Sequence, residues 1–251
     1  MSEKQIPVSY VAHGENTSPI FCSNFSKGCG GMTVQSNELY PGPISLFGSA
    51  QLWKSILLQA IAEKRDWYYG DHAYFGRMKY YRITKNRFQH DGIGKPDYGR
   101  LKRFNIEIKN WKDYGHHIVI CPPDQRFADL FGFSADAWLR HICYELRRFT
   151  NRRLIIRDRR NLDTIPPLEE HLRDSWALVT HMSNAAVESV LEGIPVFCTG
   201  ECAGVTMGTS DLSKIETPER PDWREKWAAT LAANQWTMDE MHRGECWRSI
   251  S

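Results

Sequence analysis

Asn184 and Glu188 stand four residues apart in WALVTHMSNAAVESVLEGIPVFCTG, residues 176–200. That spacing places a carboxamide and a carboxylate on one helix face, flanking the apolar stripe of Ala186, Val187, Val190 and Leu191. His181, Met182 and Ser183 come just before, as a polar break after an apolar run. Free N–H groups where such a helix begins suit a phosphate. A carboxylate one turn further on is badly placed for the phosphate and well placed to accept hydrogen bonds from ribose hydroxyls. It can equally serve as a first-turn acid complementing the helix dipole. A second set of groups able to move protons, Asp71 and His72 in YYGDHAYFGR, interrupts an apolar stretch, a costly place for ionisable side chains. His13 and Glu15 follow the first apolar run of the chain.

These groups need elements to hold them. The pattern predicts strand at residues 176–180, helix at 184–192 stopped by Gly193, and strand at 194–198. A polar loop leaving the carboxyl end of a buried strand is where open α/β sheets bind nucleotides. Upstream, strands are expected at 7–12, 44–47, 117–121 and 154–156. Another is expected at 67–75, interrupted at Gly70-Asp71-His72. Helices are expected at 50–64 with Ser49 as cap, at 134–149 and at 167–173, and two more follow capping-box spacings at Asp222/Glu225 and Thr237/Glu240. Strand and helix alternate as in a parallel, doubly wound sheet.

The chain has 251 residues, 41% hydrophobic and 12% aromatic, enough for one large core or two small ones. No segment is long and apolar enough to read as a signal peptide or a membrane span. Seven cysteines without a C-x-x-C pair argue against a zinc site or a disulfide scaffold and for a reduced, cytoplasmic setting. The net charge of +2 is unevenly spread. Residues 51–112 hold 14 Lys/Arg against 6 Asp/Glu, and residues 201–251 hold 6 against 9. Tyr68, Tyr69, Tyr74, Phe75, Tyr80, Tyr81, Phe88, Tyr98, Phe104 and Trp111 lie within the basic tract. Cations interleaved with aromatics are the footprint of nucleic-acid binding, and an anionic polysaccharide would select the same surface. Such aromatics also serve as core.

The run T-H-x-S-N-x-x-V-E-x-x-L-x-G-I-P-V, from Thr180 to Val196, resembles the donor-binding segment of GT-B-fold glycosyltransferases. The capsular-polysaccharide transferases and glycosyltransferase-like proteins of phages are similar in pattern, over roughly the second half of the chain. The resemblance implies a compact α/β GT-B-like fold, two Rossmann-like halves facing across a cleft. Residues 1–113 would form an acceptor domain and 114–251 a nucleotide-sugar domain. It implies a donor site of His181, Ser183, Asn184, Glu188, Arg157 and Lys214, the last from the Gly- and Ser-rich segment 200–214. A base for the acceptor hydroxyl is sought first in Asp71, with His72 beside it, then in His13 with Glu15. Basic residues Arg77, Lys79, Lys102 and Arg103 would face the acceptor. Where the related transferases carry Lys/Arg-x-His-Pro, this chain has Asp158-Arg159-Arg160, which counts against a CMP-sugar. A UDP-sugar is the expected donor, as substrate and not cofactor. No D-x-D sequence is present, so no metal is expected. The acceptor readings are a hydroxymethylated base in phage DNA, in the host cytoplasm, or a cell-surface polysaccharide. A non-catalytic nucleotide- or nucleic-acid-binding protein is the reading from another class.

Overall fold

The computed structural model describes residues 5–12, 14, 16–48, 51–158, 160 and 164–251. In chain order the first elements are β1 (Val8–Tyr10), α1 (Thr17–Cys29), β2 (Met32–Val34), β3 (Ile44–Phe47), α2 (Lys54–Ala62), β4 (Trp67–His72) and β5 (Tyr81–Lys85). There follow α3 (Tyr98–Arg103), β6 (His117–Cys121), α4 (Gln125–Leu130), α5 (Ala135–Arg147), β7 (Arg153–Ile156), α6 (Leu168–Leu172) and β8 (Ser175–Thr180). The chain continues with α7 (Ala185–Leu191), β9 (Val196–Cys198), β10 (Gly208–Thr209), α8 (Arg224–Ala233), β11 (Gln235–Trp236), α9 (Met238–His242) and α10 (Glu245–Ile250). Among the described residues no helix is long and apolar enough to cross a membrane.

Two compact units result, one of residues 1–88 with 234–251 and one of residues 89–233. The first holds a sheet in the order β11-β5-β4-β3-β1-β2. Strands β2, β1, β3 and β4 are parallel, while β5 and β11 close that edge antiparallel. The second holds a fully parallel sheet in the order β10-β9-β8-β6-β7. Both wind alike. In each, the first strand lies second from an edge, with the second strand outside it and the third and fourth on its other side. Each sheet therefore has its topological switch point between its first and third strands. These are the two Rossmann-like halves that the resemblance implies.

The sequence places a boundary at 113/114, whereas the compact units divide at 88/89 and again at 233/234. The physical reason is visible in residues 89–112. α3 packs on α8, the Asp97 N–H donates to the Ala229 carbonyl at 3.1 Å, and Lys109 and Lys112 donate to the carbonyls of Leu191 and Gly193 at 2.8 and 2.7 Å. Gly92 sits flush on the Trp227 indole, where a Cβ would lie 2.0 Å from Cδ1. The last residues return to the first unit because β11 pairs with β5, and Trp236, Met241 and Cys246 join the core of Phe21, Phe25 and Phe47.

Strand β4 runs unbroken through Gly70, Asp71 and His72, where an interruption is predicted. Gly70 is there for space: a Cβ would meet the Phe21 ring at 2.1 Å. The predicted helix at 50–64 appears as α2, with Trp53, Ile56, Leu57 and Ala60 buried and Leu52 and Ile61 exposed. Its predicted cap, Ser49, lies outside the described residues. Ser134 caps α5 by accepting from the Ala137 N–H at 3.3 Å. The capping box at Thr237 and Glu240 opens α9. Tyr68, Tyr69, Tyr74, Phe75, Tyr81 and Phe88 are buried, so most of the aromatics in the basic tract build core.

Candidate functional site

The second unit's switch point falls between the carboxyl ends of β6 and β8. Thr180 ties them together: its hydroxyl donates to the Cys121 carbonyl at 2.8 Å and accepts the Ser183 N–H at 3.2 Å. Ser183 Oγ in turn accepts the Ala185 N–H at 3.2 Å, so Ser183, not Asn184, caps the first turn of α7. The buried face of α7 is Ala185, Ala186, Val187, Ser189 and Val190. Glu188 is exposed on the other side, and Ser183 and Asn184 are half-buried. The spacing read from the sequence thus gives the division of faces it implies.

His181 is held on all sides. Its ring meets Phe133 edge-on at 5.1 Å and Trp138 at 6.2 Å. Nδ1 lies 3.1 Å from Thr199 Oγ1, which also accepts the Trp138 indole N–H at 2.9 Å. The Thr199 hydroxyl, with one proton and two acceptor positions, donates to Nδ1 or accepts from it according to the ring's tautomer. Burial pushes the His181 pKa below its ordinary value, so the ring is a neutral donor near pH 7. Gly200 permits this arrangement, since a Cβ there would stand 2.3 Å from His181 Cε1.

One positioning residue has no signal in the sequence. Gln89 is 4% exposed. Its side-chain N–H donates to the Met182 carbonyl, its side-chain oxygen accepts the Ala203 N–H at 3.0 Å, and its backbone N–H donates to Glu201 Oε1 at 2.7 Å. It ties the loop after β8 to the loop after β9. The Trp227 indole holds the Ala203 carbonyl at 2.8 Å, and the Cys202 thiol donates to the Ser183 carbonyl at 3.5 Å.

The remaining donor candidates are engaged elsewhere. The Arg157 backbone extends the ladder to the Ile120 carbonyl at 2.8 Å, and its guanidinium donates to the Pro166 carbonyl and lies 3.4 Å from His171 Nδ1. Arg160 is shared between Asp158 and Asp136, and Arg159 lies outside the described residues. Lys214 pairs with Glu219 at 3.0 Å on the surface. The structure therefore joins His181, Ser183, Asn184 and Glu188 in one loop and helix, and gives Arg157 and Lys214 other partners.

In the first unit Asp71 ends β4 as the partner of Arg82, which is 3% exposed. Oδ2 accepts from Arg82 Nη2 at 2.7 Å and from the Tyr69 hydroxyl at 3.4 Å, while Oδ1 accepts the His72 N–H at 2.7 Å. Arg82 also donates to the His72 carbonyl at 2.9 Å and stacks over Tyr74 at 4.8 Å. The His72 ring lies 5.8 Å from both Phe47 and Tyr81, with Nδ1 buried and without a hydrogen-bond partner among the described residues. His13 and Glu15 lie outside the described residues. Arg77, Lys79, Lys102 and Arg103 are all exposed, but they do not form one group by chain unit. The first two lie between β4 and β5, and the last two are on α3 in the second unit.

No protein-family model matches the chain, and no curated protein matches it. Solved structures do. The chain is similar to Thermosulfurimonas dismutans KpsC, beta Kdo 2,4 transferase, with a TM-score of 0.53 at 10% identity, over 91% of each chain. It is also similar to Thermosulfurimonas dismutans KpsC, beta Kdo 2,7 transferase, with a TM-score of 0.52 at 9% identity, over 96% of this chain and 99% of the other. Neither is a phage protein. At these identities the likeness is one of fold: the chain has the α/β architecture of GT-B glycosyltransferases.

Proposed function

We propose that the protein is a glycosyltransferase that moves a sugar from a nucleotide-sugar donor to a hydroxyl of a saccharide acceptor. The observation that carries this reading is the His181–Asn184 loop, built at the switch point of a parallel sheet whose fold is that of Kdo transferases. In it the neutral His181 offers a ring N–H to the donor phosphates, Ser183 and Asn184 line the loop, and Glu188 accepts from the ribose. Arg157 and Lys214 are proposed as outer cations that reach the diphosphate by exchanging their present partners.

Transfer breaks the bond between the anomeric carbon and the phosphate oxygen, whose electrons leave with the nucleoside diphosphate or monophosphate. An inverting transfer needs a base for the acceptor hydroxyl, and Asp71 is proposed for it. The saccharide acceptor is favoured over DNA by the burial of Tyr68, Tyr69, Tyr74, Phe75, Tyr81 and Phe88, which removes their faces from base stacking. Both similar structures are Kdo transferases, which supports a sugar-transferring role.

The test is thermal-shift screening with UDP-, GDP-, ADP-, CMP- and dTDP-sugars, followed by transfer assays with the sugar that stabilises. Stabilisation by one nucleotide class is the expected result. A chain stabilised by none of them, and transferring no sugar, is not a glycosyltransferase.

A further inference from the structure

The first unit has its own switch point, between β1 and β3, and a cavity of about 250 Å³ opens beside it. Its walls come from the carboxyl end of β1 (Tyr10 to Ala12), the segment after β2 (Gln35, Ser36, Asn37) and the segment before α2 (Leu52, Trp53). The carboxyl ends of parallel strands at a switch point are where ligands bind in open α/β sheets.

Most of these polar walls are already committed. The Tyr10 hydroxyl donates to the Glu38 carbonyl at 3.1 Å and accepts the Tyr40 N–H at 2.7 Å, fixing the segment after β2. Ser36 Oγ accepts the Glu38 N–H at 3.0 Å, and the Trp53 indole donates to the Phe47 carbonyl at 3.2 Å. Gln35 and Asn37 are exposed, and each carboxamide carries two donor hydrogens and an acceptor oxygen. Leu52, 47% exposed, shares the lining. No charged side chain lines the cavity among the described residues. Paired donors and acceptors beside an apolar side chain suit the alternating hydroxyls and C–H face of an uncharged sugar ring. They do not compensate a phosphate or a carboxylate.

We infer that this cavity is a binding site for an uncharged saccharide residue, held by Gln35 and Asn37 against Leu52. The inference rests on the glycosyltransferase reading and gives its acceptor a site and a specificity: the ring bound here is neutral, whatever charges the rest of the chain carries. It moves acceptor recognition from the exposed cations Arg77 and Lys79 to two carboxamides.

Saturation-transfer NMR on the full chain tests it, with methyl hexosides, hexuronates and a short deoxyribonucleotide as probes. Methyl hexosides should receive saturation, and hexuronates and the oligonucleotide should not. Gln35→Ala with Asn37→Ala should weaken hexoside binding at least about tenfold, from the loss of several modest hydrogen bonds. Leu52→Arg, which puts a charge into the lining, should do the same. Nucleotide-sugar affinity should stay within about twofold in all variants, a difference well under one hydrogen bond. Equal hexoside binding by the variants, or preferential binding of the charged probes, overturns the site. Retained hexoside binding in a chain that binds no nucleotide sugar would instead sink the transferase reading and leave the cavity standing.

Discussion

At the scale of single residues, the proposed donor loop is knit by bonds from Thr180, Ser183 and Gln89. Glu188 stands out as exposed on a helix whose other face is buried. Glu188→Ala should weaken nucleotide-sugar binding by about 1–3 kcal/mol, the range for a hydrogen bond to a charged partner, with the melting temperature unchanged. Calorimetric titration checks it, and equal affinity would leave Glu188 only a helix-dipole role. His181 makes a different claim. Burial lowers its pKa in the folded chain, so the unfolded chain takes up the proton first as pH falls. Its contribution to stability is complete above the unfolded value of about 6.5 and is lost as pH falls below it. His171, also lowered by burial and next by Arg157, acts in the same direction. Melting temperatures between pH 8 and pH 5 should fall more steeply in the wild type than in His181→Gln, and parallel curves would contradict the neutral ring. For Asp71, the pairing with buried Arg82 separates two roles. Asp71→Asn keeps an acceptor for the guanidinium and should lower turnover by about 100-fold or more if Asp71 is the base. Asp71→Ala should also destabilise the first unit by about 3–5 kcal/mol, the cost of leaving a buried charge unpaired. Turnover that survives in the Asn variant would make Asp71 a structural partner only.

Among the elements, the strand at 175–180 and the helix at 185–191 were legible because their signals are local. An apolar run, a polar break and a 3.6-residue stripe all lie within twenty residues of one another. Gln89 was not legible, since its partners Met182 and Ala203 lie 93 and 114 residues away. A lone glutamine in a basic tract carries no trace of such contacts. Gln89→Leu, close in size, should leave the Met182 carbonyl and Ala203 N–H unsatisfied and cost about 1–3 kcal/mol for each group. Hydrogen exchange should then quicken at residues 181–184 and 200–206 together. Faster exchange in only one of these loops would show that Gln89 does not join them. The cavity of the first unit escaped notice for a similar reason: three segments spread over residues 10–53 meet there, and none has a pattern of its own.

At the scale of the whole molecule, the basic tract does not belong to a single unit. The basic excess of residues 51–112 is divided at 88/89 between the two units. Its pairs of Arg65 with Glu63, Arg82 with Asp71 and Lys85 with Asp66 join charges already balanced within that count, and only Lys109 with Glu192 draws on an acid outside it. With the excess split and most of the tract's aromatics buried, duplex DNA should not be retained on filters even at low ionic strength. Retention that falls by about 0.9 log units per log unit of salt for each phosphate contacted would revive the nucleic-acid acceptor.

The pairing of β11 with β5 also sets a timetable. During synthesis, the segment from Gln89 to Ala233 is complete while the sheet begun at β1 still lacks its closing strand and the helices that cover α1. The usual order, in which the amino-terminal domain folds first on the ribosome, should therefore be reversed. A nascent chain arrested with Ala233 just outside the exit tunnel should show residues 89–233 resistant to protease while residues 5–88 remain cleavable, and release of eighteen more residues, 234–251, should protect both.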